Sequence, residues 1–173
     1  MNIAVVGGGN TAVDVARILR RAGVPEVHIV THNSLPGPDS IPGDVMRAIP
    51  REIEQAIEEG VHIHDHRGIR RLILRGEKVS GVEMTRMKKL RDANGRLQRV
   101  AFEGTESILH VDQVIPAIGL EVDAAGFEWA LAGNPYLPAD AQLGLRGHPG
   151  IWVGGDAVGA GRGGDGQPSH PAQ

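Results

Sequence analysis

The sequence predicts an α/β fold: a three-layer domain with a parallel central sheet and an antiparallel β-meander extension. Short, uninterrupted runs of β-branched residues near the amino terminus are typical of strands buried on both faces of a parallel sheet. Between these runs, apolar residues recur at helical spacing. The middle of the chain instead carries longer, more polar runs joined by tight-turn residues, which is typical of antiparallel strands. At 173 residues, the chain has the length of one domain that can bury a core.

The amino-terminal segment predicts a strand, a helix and a second strand. We expect the first strand over residues 3–6, followed by a glycine turn and a helix that ends at Gly23. Asn10 is the predicted N-cap of this helix, and Asp14 lies in its predicted first turn. The apolar face of the helix contains Ala12, Val15, Ala16 and Leu19. A second strand over residues 27–30 completes a βαβ unit, whose crossover should be right-handed.

A second helix and a third strand follow a loop rich in proline and glycine, residues 35–43. Pro50 suits the first position of a helix, and Gly60 suits its end. The inner face of this helix is predicted to contain Ile53, Ala56 and Ile57. Residues 61–66 then predict the third strand of the parallel sheet.

The second half of the chain predicts a meander and two returning strands. The meander spans about residues 69–110, with tight turns at Gly76–Glu77 and Asn94–Gly95. A buried strand is expected in the segment "VDQVIPAIG", and a last strand in "GIWVGG". The tail from residue 159 is rich in glycine and polar residues, so we expect it to be disordered.

Composition excludes several classes of function. The net charge of −3, with both signs mixed along the chain, argues against a nucleic-acid surface or a polybasic membrane patch. The absence of cysteine excludes thiol chemistry and thiolate ligation of iron–sulfur clusters by this chain. No signal peptide or membrane-spanning run is evident, so we expect a cytoplasmic protein that binds neither nucleic acid nor membranes.

The turn after the first strand carries the most informative motif. Gly7, Gly9 and Ala12 form a G-x-G-x-x-A pattern between a predicted buried strand and a predicted helix. The first glycine permits the turn, the second allows the backbone to approach a pyrophosphate, and the small third residue lets helix and strand pack closely. Free amides at the helix start then face the phosphates. The pattern predicts a Rossmann-like dinucleotide site; the alternative is a turn that merely needs small residues.

The choice of dinucleotide depends on the residues after the second strand. NAD-selective sites usually have Asp or Glu about twenty residues after the glycines, where it binds the ribose 2′-hydroxyl. The segment "VTHNS" has His32 and Asn33 at this place and no acid. His32 could donate to a 2′-phosphate, which favours NADP, or it could be a solvated loop residue, which leaves NAD open.

Four segments resemble, in the same order, the small subunit of glutamate synthase and its relatives. They are "VVGGGNTAVDVAR", "IPREIEQAIEEGV", "VIPAIG" and "GIWVGGDAV". This group is similar to the flavin part of dihydropyrimidine dehydrogenase and to other pyridine nucleotide-disulfide-oxidoreductase-like flavoproteins. The resemblance implies an oxidoreductase domain that binds NADPH and presents its nicotinamide to FAD, with iron–sulfur clusters and a partner subunit as further electron carriers.

The resemblance also assigns cofactor-binding residues, but no catalytic or metal-binding ones. Gly7, Gly8, Gly9, Asn10 and Thr11 match the pyrophosphate loop. Ala117 and Gly119 match the segment near the nicotinamide, and Gly155 and Asp156 match the second FAD element. Two departures stand out: His32 and Asn33 replace the family's arginines, and the residues after "GGDAV" cannot form the helix expected beneath the flavin ring.

These matches predict a division into three parts. Residues 1–120 form the NAD(P)-binding domain with its meander, residues 121–158 form a return segment like the end of an FAD-binding domain, and residues 159–173 form the tail. The family's first FAD motif would precede the first strand, where only Met1 and Asn2 stand. Asp156 alone offers about 1–3 kcal/mol, whereas micromolar binding needs about 8 kcal/mol. We therefore do not expect stable FAD binding by this chain alone.

Two alternatives remain open from the residues. The chain could be a non-catalytic nucleotide-binding or interaction module that has lost its flavin half. His62, His64 and His66 alternate along a predicted strand, and their shared face could bind zinc or nickel. No carboxylate second shell is evident for such a site, so no metal is assigned.

Overall fold

The computed structural model describes residues 1–38, 40–93, 96–119, 123, 125–131 and 136–158, without the side chains of residues 97 and 156. The chain divides into two compact units, Met1–Ile118 and Gly119–Gln173. The tail from residue 159, which we predicted to be disordered, lies outside the described residues.

The described residues of the first unit form two helices and eight strands. In chain order they are β1 (Asn2–Val6), α1 (Asn10–Arg21), β2 (Glu26–Val30), α2 (Pro50–Glu58), β3 (Val61–His64), β4 (Arg67–Arg75), β5 (Lys78–Arg91), β6 (Leu97–Ala101), β7 (Ser107–Leu109) and β8 (Gln113–Pro116). The predicted parallel sheet is confirmed: its order is β3-β2-β1-β8, and every neighbouring pair runs parallel.

The helices cover one face of the parallel sheet. Ile3 and Val5 of β1 point to this face and are buried against Ala12, Val13 and Ala16 of α1. Ile53 and Ala56 of α2 complete the same apolar cluster. Successive strand residues point to opposite faces, so Ala4 lies on the other side of the sheet.

The antiparallel strands cover that opposite face and form the third layer. β5 pairs with β4, β6 and β7, all antiparallel. Val82 and Met84 of β5 pack with Ala4 and Val30 of the parallel sheet in a second buried cluster. The predicted turn at Gly76 is confirmed, with φ +64°, whereas the predicted turn at residues 94–95 lies outside the described residues.

Four details of the predicted helices and strands are wrong. The strand expected to be buried in "VDQVIPAIG" is β8, which lies at the edge of its sheet and has no fully buried residue. Gly9, and not Asn10, is the N-cap of α1, so Asp14 falls beyond the first turn. Ile57 is 48% exposed, because the buried face of α2 contains Ile53 and Ala56 alone. β3 ends at His64, because the chain turns at His66, which has φ +49°.

The second unit has little regular structure among its described residues. It contains α3 (Glu128–Leu131), a 3-10 turn over Gly155–Val158 and two isolated bridges, one of which joins Gly144 to Trp152. Its apolar cluster contains Ala130, Leu137 and Leu145. The strand predicted in "GIWVGG" is wrong: Trp152 pairs at a single position, and 71% of it is exposed. Within the described ranges, no helix has both the length and the apolarity needed to cross a bilayer.

Candidate functional site

The predicted site residues of the first unit meet where three parallel strands end. Val6 of β1 pairs with Val30 of β2 and with Pro116 of β8. The residues that follow each strand therefore lie side by side at the carboxyl edge of the sheet. In open α/β sheets, this edge is where ligands bind.

Gly7 is required by the close approach of two backbone segments. Its φ is +152°, and a Cβ here would lie 2.3 Å from the Ala117 carbonyl oxygen and 3.2 Å from the Ala12 Cβ. The Gly7 amide donates to the Val30 carbonyl at 3.0 Å, and the Ala117 amide donates to the Val6 carbonyl at 2.7 Å. Gly7 and Ala12 thus allow α1 to start directly against β1 and β8.

Gly8 anchors the loop that precedes α2. Its carbonyl accepts from the amides of Arg47 and Ala48 at 2.9 and 3.2 Å. A Cβ at Gly8 would lie 2.5 Å from the buried hydroxyl oxygen of Thr31. The Asn10 side chain holds the same loop, because its Oδ1 accepts from the Ile49 amide at 3.0 Å. These contacts fix the glycine turn without using the amides of residues 8–11.

Gly9 is the open position of the turn. A Cβ built here meets no atom within 4 Å, and its backbone is extended, with φ −97° and ψ 177°. Among the described residues, the four amides of residues 8–11 donate to no acceptor. They precede and begin the twelve-residue helix α1, so the partial positive charge of the helix lies behind them. Bare amides, open space and a helix N-terminus fit a bound pyrophosphate.

His32 and Asn33 follow β2, but they have different surroundings. The Asn33 side chain donates to the Asp44 carbonyl at 3.1 Å, so it serves to hold the loop. His32 is half-buried, and its pKa is lowered by burial and by the positive charges of Arg99 and Lys89, with a smaller effect of Arg47. The Asp44 carboxylate opposes this shift.

Sequence reasoning missed these cationic neighbours. Lys89, Arg47 and Arg99 belong to no motif that the sequence analysis singled out. Lys89 pairs with Arg99 across β5 and β6, a register that the local pattern of charges does not specify. No signal in the sequence places either strand beside His32.

The remaining predicted residues belong to the second unit. Gly119 has φ +109°, and Gly155 has φ +61° at the start of the 3-10 turn. Both conformations favour glycine. Asp156 lies in the same turn, and its side chain is not described. Their roles near the nicotinamide and in flavin binding stay predictions.

The histidines are grouped differently from the predicted face of one strand. His28 of β2 lies between His62 and His64 of β3, and its Nδ1 is 3.1 Å from Nε2 of His64. His62 contacts the Glu26 carboxylate at 3.1 Å. His66 lies apart, in the turn after β3. Across the described part of the chain, no three His or acidic side chains are arranged to hold a metal ion.

The family model for "Pyridine nucleotide-disulphide oxidoreductase" matches residues 1–171, nearly the whole chain. The chain belongs to the pyridine nucleotide-disulphide oxidoreductase family. This confirms the resemblance carried by the glycine turn and the three later segments.

Three curated relatives are named as subunits or small chains of enzymes. The chain is 32% identical to "NADP(+)-dependent formate dehydrogenase subunit beta" of Moorella thermoacetica, over 90% of this chain and 21% of the relative. It is 32% identical to "NADPH-Fe(3+) oxidoreductase subunit beta" of Geobacter sulfurreducens, over 90% of this chain and 26% of the relative. It is 30% identical to "Glutamate synthase [NADPH] small chain" of Escherichia coli, over 90% of this chain and 33% of the relative. The chain thus spans a third or less of the length of these relatives.

Two solved thioredoxin reductases have the same fold as this chain. The enzyme of T. acidophilum matches with a TM-score of 0.68 at 16% identity, over 96% of this chain and 46% of that one. The Lactococcus lactis enzyme matches with a TM-score of 0.62 at 19% identity, over 90% of this chain and 44% of that one. The Rossmann-like fold class is therefore confirmed.

Proposed function

We propose that the first unit binds NAD(P)H at the carboxyl edge of its parallel sheet. The pyrophosphate would lie against the amides of residues 8–11, and the nicotinamide would extend toward Ala117. The observation that carries this proposal is the combination of four amides without an acceptor in the described residues and open space at Gly9. No side chain of the described residues lies within 4 Å of a Cβ built at Gly9, so a diphosphate can approach the backbone there.

We further propose that the chain serves as the NAD(P)H-binding part of a flavin-dependent oxidoreductase, similar to the glutamate synthase small subunit. The bound dinucleotide supplies the hydride. The protein contributes binding and orientation: Gly7 sets the distance between α1 and β8, and Gly8 and Asn10 hold the loop before α2. Hydride transfer needs no general acid or base from these residues.

The proposal includes a flavin and further electron carriers on partner domains or subunits. Relatives are named as beta subunits or small chains, which supports partner domains or subunits that carry flavin or iron–sulfur groups. Gly155 and Asp156 are the residues of this chain that the proposal assigns to the flavin. We expect added FAD neither to copurify with the chain nor to bind it tightly.

The test is a calorimetric titration of the full chain with NADPH and with NADH, followed by a dye-reduction assay with added FAD. Saturable binding of either dinucleotide at one site per chain supports the dinucleotide site. Dye reduction that requires FAD supports the oxidoreductase, whereas binding without turnover supports the non-catalytic module. Failure to bind both dinucleotides would refute the proposal.

A further inference from the structure

A group of cationic side chains from three separate elements lies around His32. Arg47 lies in the loop before α2, Lys89 lies on β5, and Arg99 lies on β6. Lys89 reaches the loop before α2: its ammonium donates to the Gly43 carbonyl, next to the Asp44 carbonyl that accepts from Asn33. Burial, and then the positive charges of Arg99, Lys89 and Arg47, lower the pKa of His32. We call these three residues and His32 the basic cluster.

The register of the two strands places like charges directly opposite each other. Lys89 and Arg99 are paired residues of β5 and β6, so their side chains are on the same face of the ribbon. Like charges in this position repel each other. Within the described ranges, neither Arg47 nor Arg99 forms an ion pair, and the Lys89 ammonium donates to the Gly43 carbonyl. An anion between the two cations would replace repulsion with attraction.

Hydrogen bonds connect the basic cluster to the proposed dinucleotide site. The His66 amide donates to the Asn33 carbonyl at 3.1 Å, and the Met87 amide donates to the His66 carbonyl at 2.8 Å. β5 is thereby attached to the end of β2, and Lys89 lies two residues beyond Met87 on the same face. On the other side, the Arg47 amide donates to Gly8 of the glycine turn at 2.9 Å.

We propose that Lys89 and Arg99, together with His32 and Arg47, form an anion site that binds the 2′-phosphate of NADP(H). This inference rests on the proposed function, because the glycine turn must first hold the dinucleotide. A phosphate monoester carries about −1.5 to −2 charges at pH 7 and three acceptor oxygens. NADH has a neutral hydroxyl at this place, so the basic cluster distinguishes the two coenzymes. The residues directly after β2 include His32 and Asn33 but no arginine. In this proposal, the positive charge that binds the phosphate therefore comes mainly from Lys89 and Arg99 of the β5–β6 ribbon.

The experiment titrates the full chain with NADPH and NADH as wild type, Lys89→Gln, Arg99→Gln and the double variant. Loss of a charge-assisted hydrogen bond should weaken NADPH binding by about tenfold for each substitution and about a hundredfold for both. The Kd for NADH should stay within about twofold, because the 2′-hydroxyl makes no ion pair. Lys78→Gln is the matched control: Lys78 is exposed and lies at the first position of β5, eleven residues from Lys89 along the strand. It should leave both constants unchanged, and Lys89→Arg should retain most of the NADPH affinity.

Two results would overturn the inference while leaving the dinucleotide site intact. The first is unchanged NADPH affinity in the double variant, and the second is wild-type protein that binds NADH as tightly as NADPH. Wild-type protein that binds neither coenzyme would overturn the proposed function itself. Because both substituted side chains lie at the surface or half-buried, retained NADH binding also verifies that the variants are folded.

Discussion

At the scale of single residues, a side chain at Gly9 should block dinucleotide binding but have little effect on the stability of the fold. Its backbone is extended and a Cβ here would meet nothing within 4 Å. Gly9→Val should therefore change the free energy of unfolding by about 1 kcal/mol or less, the usual cost of a poor N-cap residue. The branched side chain would occupy the space before the amides of residues 8–11, so NADPH and NADH binding should both be abolished. Thermal unfolding and calorimetric titration check the two effects, and unchanged affinity would show that the phosphates lie elsewhere.

Gly7 should show the opposite behaviour, which makes it the matched comparison. With φ +152° and the Ala117 oxygen 2.3 Å from the position of a Cβ, even Gly7→Ala forces β8 away from α1. Backbone strain and overpacking together should lower the free energy of unfolding by roughly 2–4 kcal/mol. Urea unfolding measures this cost. A Gly7→Ala protein as stable as Gly9→Ala would contradict the close approach.

The sequence was sufficient to predict the turn formed by Gly7, Gly9 and Ala12, because one local pattern specifies the end of the strand and the start of the helix. The role of this turn in dinucleotide binding stays a prediction. The sequence was insufficient for Lys89 and Arg99, which lie more than fifty residues from His32 along the chain. Their position follows from the pairing of β5 with β6 and from the attachment of β5 to His66. Such long-range register is not encoded in any short segment.

At the scale of elements, Glu59 joins the end of α2 to the last turns of α1. Its carboxylate accepts from Arg17 at 2.9 Å and from Arg21, and its carbonyl accepts from Arg20 at 3.1 Å. The two guanidinium groups that bind the carboxylate, Arg17 first and Arg21 second, lower the pKa of Glu59 from 4.5 to about 2. No local sequence pattern pairs these arginines with Glu59, because it lies about forty residues away along the chain.

Glu59→Gln should lower the stability at neutral pH, and the loss should depend on pH in a defined window. A carboxyl whose pKa is lower in the folded state stabilises the fold above its unfolded pKa of 4.5, and this stabilisation disappears as the pH falls toward 2. The difference in unfolding free energy between wild type and variant should therefore be constant from pH 7 to about 5.5 and then decrease. The effect should be modest because the pair is in contact with solvent. A difference that grows on acidification would contradict the assignment.

The strands β2 and β3 carry a second pH-dependent contact. Burial and the neighbouring charges of His64 and His62 lower the pKa of His28. Burial and His62 lower that of His64. Below pH 6.5, these two histidines bind protons in the unfolded chain more readily than in the folded protein. The free energy of unfolding should therefore decrease as the pH falls through this value.

Urea unfolding between pH 7.5 and 5.5 tests this expectation. His28→Gln removes the central ring of the group, and the variant should lose less stability over this range than the wild type. Part of the slope should remain, because burial also lowers the pKa of His32. Equal slopes in the two proteins would show that the contact between His28 and His64 does not couple folding to protonation.

Elements were predictable where local periodicity determined them and not where pairing did. The four parallel strands and both long helices follow from apolar runs, N-terminal proline and glycine ends. The strand predicted around Trp152 failed, because an apolar run becomes a strand only when a neighbouring strand pairs with it, and here a single residue does so. Ile57 was wrongly assigned to the buried face of α2, because the sequence does not indicate how wide a face of the helix the neighbouring elements bury.

At the scale of the whole molecule, the two units have separate apolar cores. The clusters on both faces of the parallel sheet draw all their residues from Met1–Ile118, and the cluster around Leu137 draws its described residues from the second unit. Each strand next to the proposed binding edge, including β8, also belongs to the first unit. The first unit thus contains a complete core together with its candidate site.

A fragment of residues 1–118 should therefore fold cooperatively and bind NADPH within about threefold of the full chain, a difference below 1 kcal/mol. The matched control is a fragment of residues 1–110, which lacks β8 and the buried Val111. Without β8, the strand β1 becomes an exposed edge and the Ala117 backbone no longer borders Gly7, so this fragment should be unstable and aggregate. Circular dichroism, thermal unfolding and calorimetric titration measure these outcomes. If the longer fragment unfolds or loses its affinity while the full chain binds, the site needs the second unit, and Gly119 becomes the first residue to test.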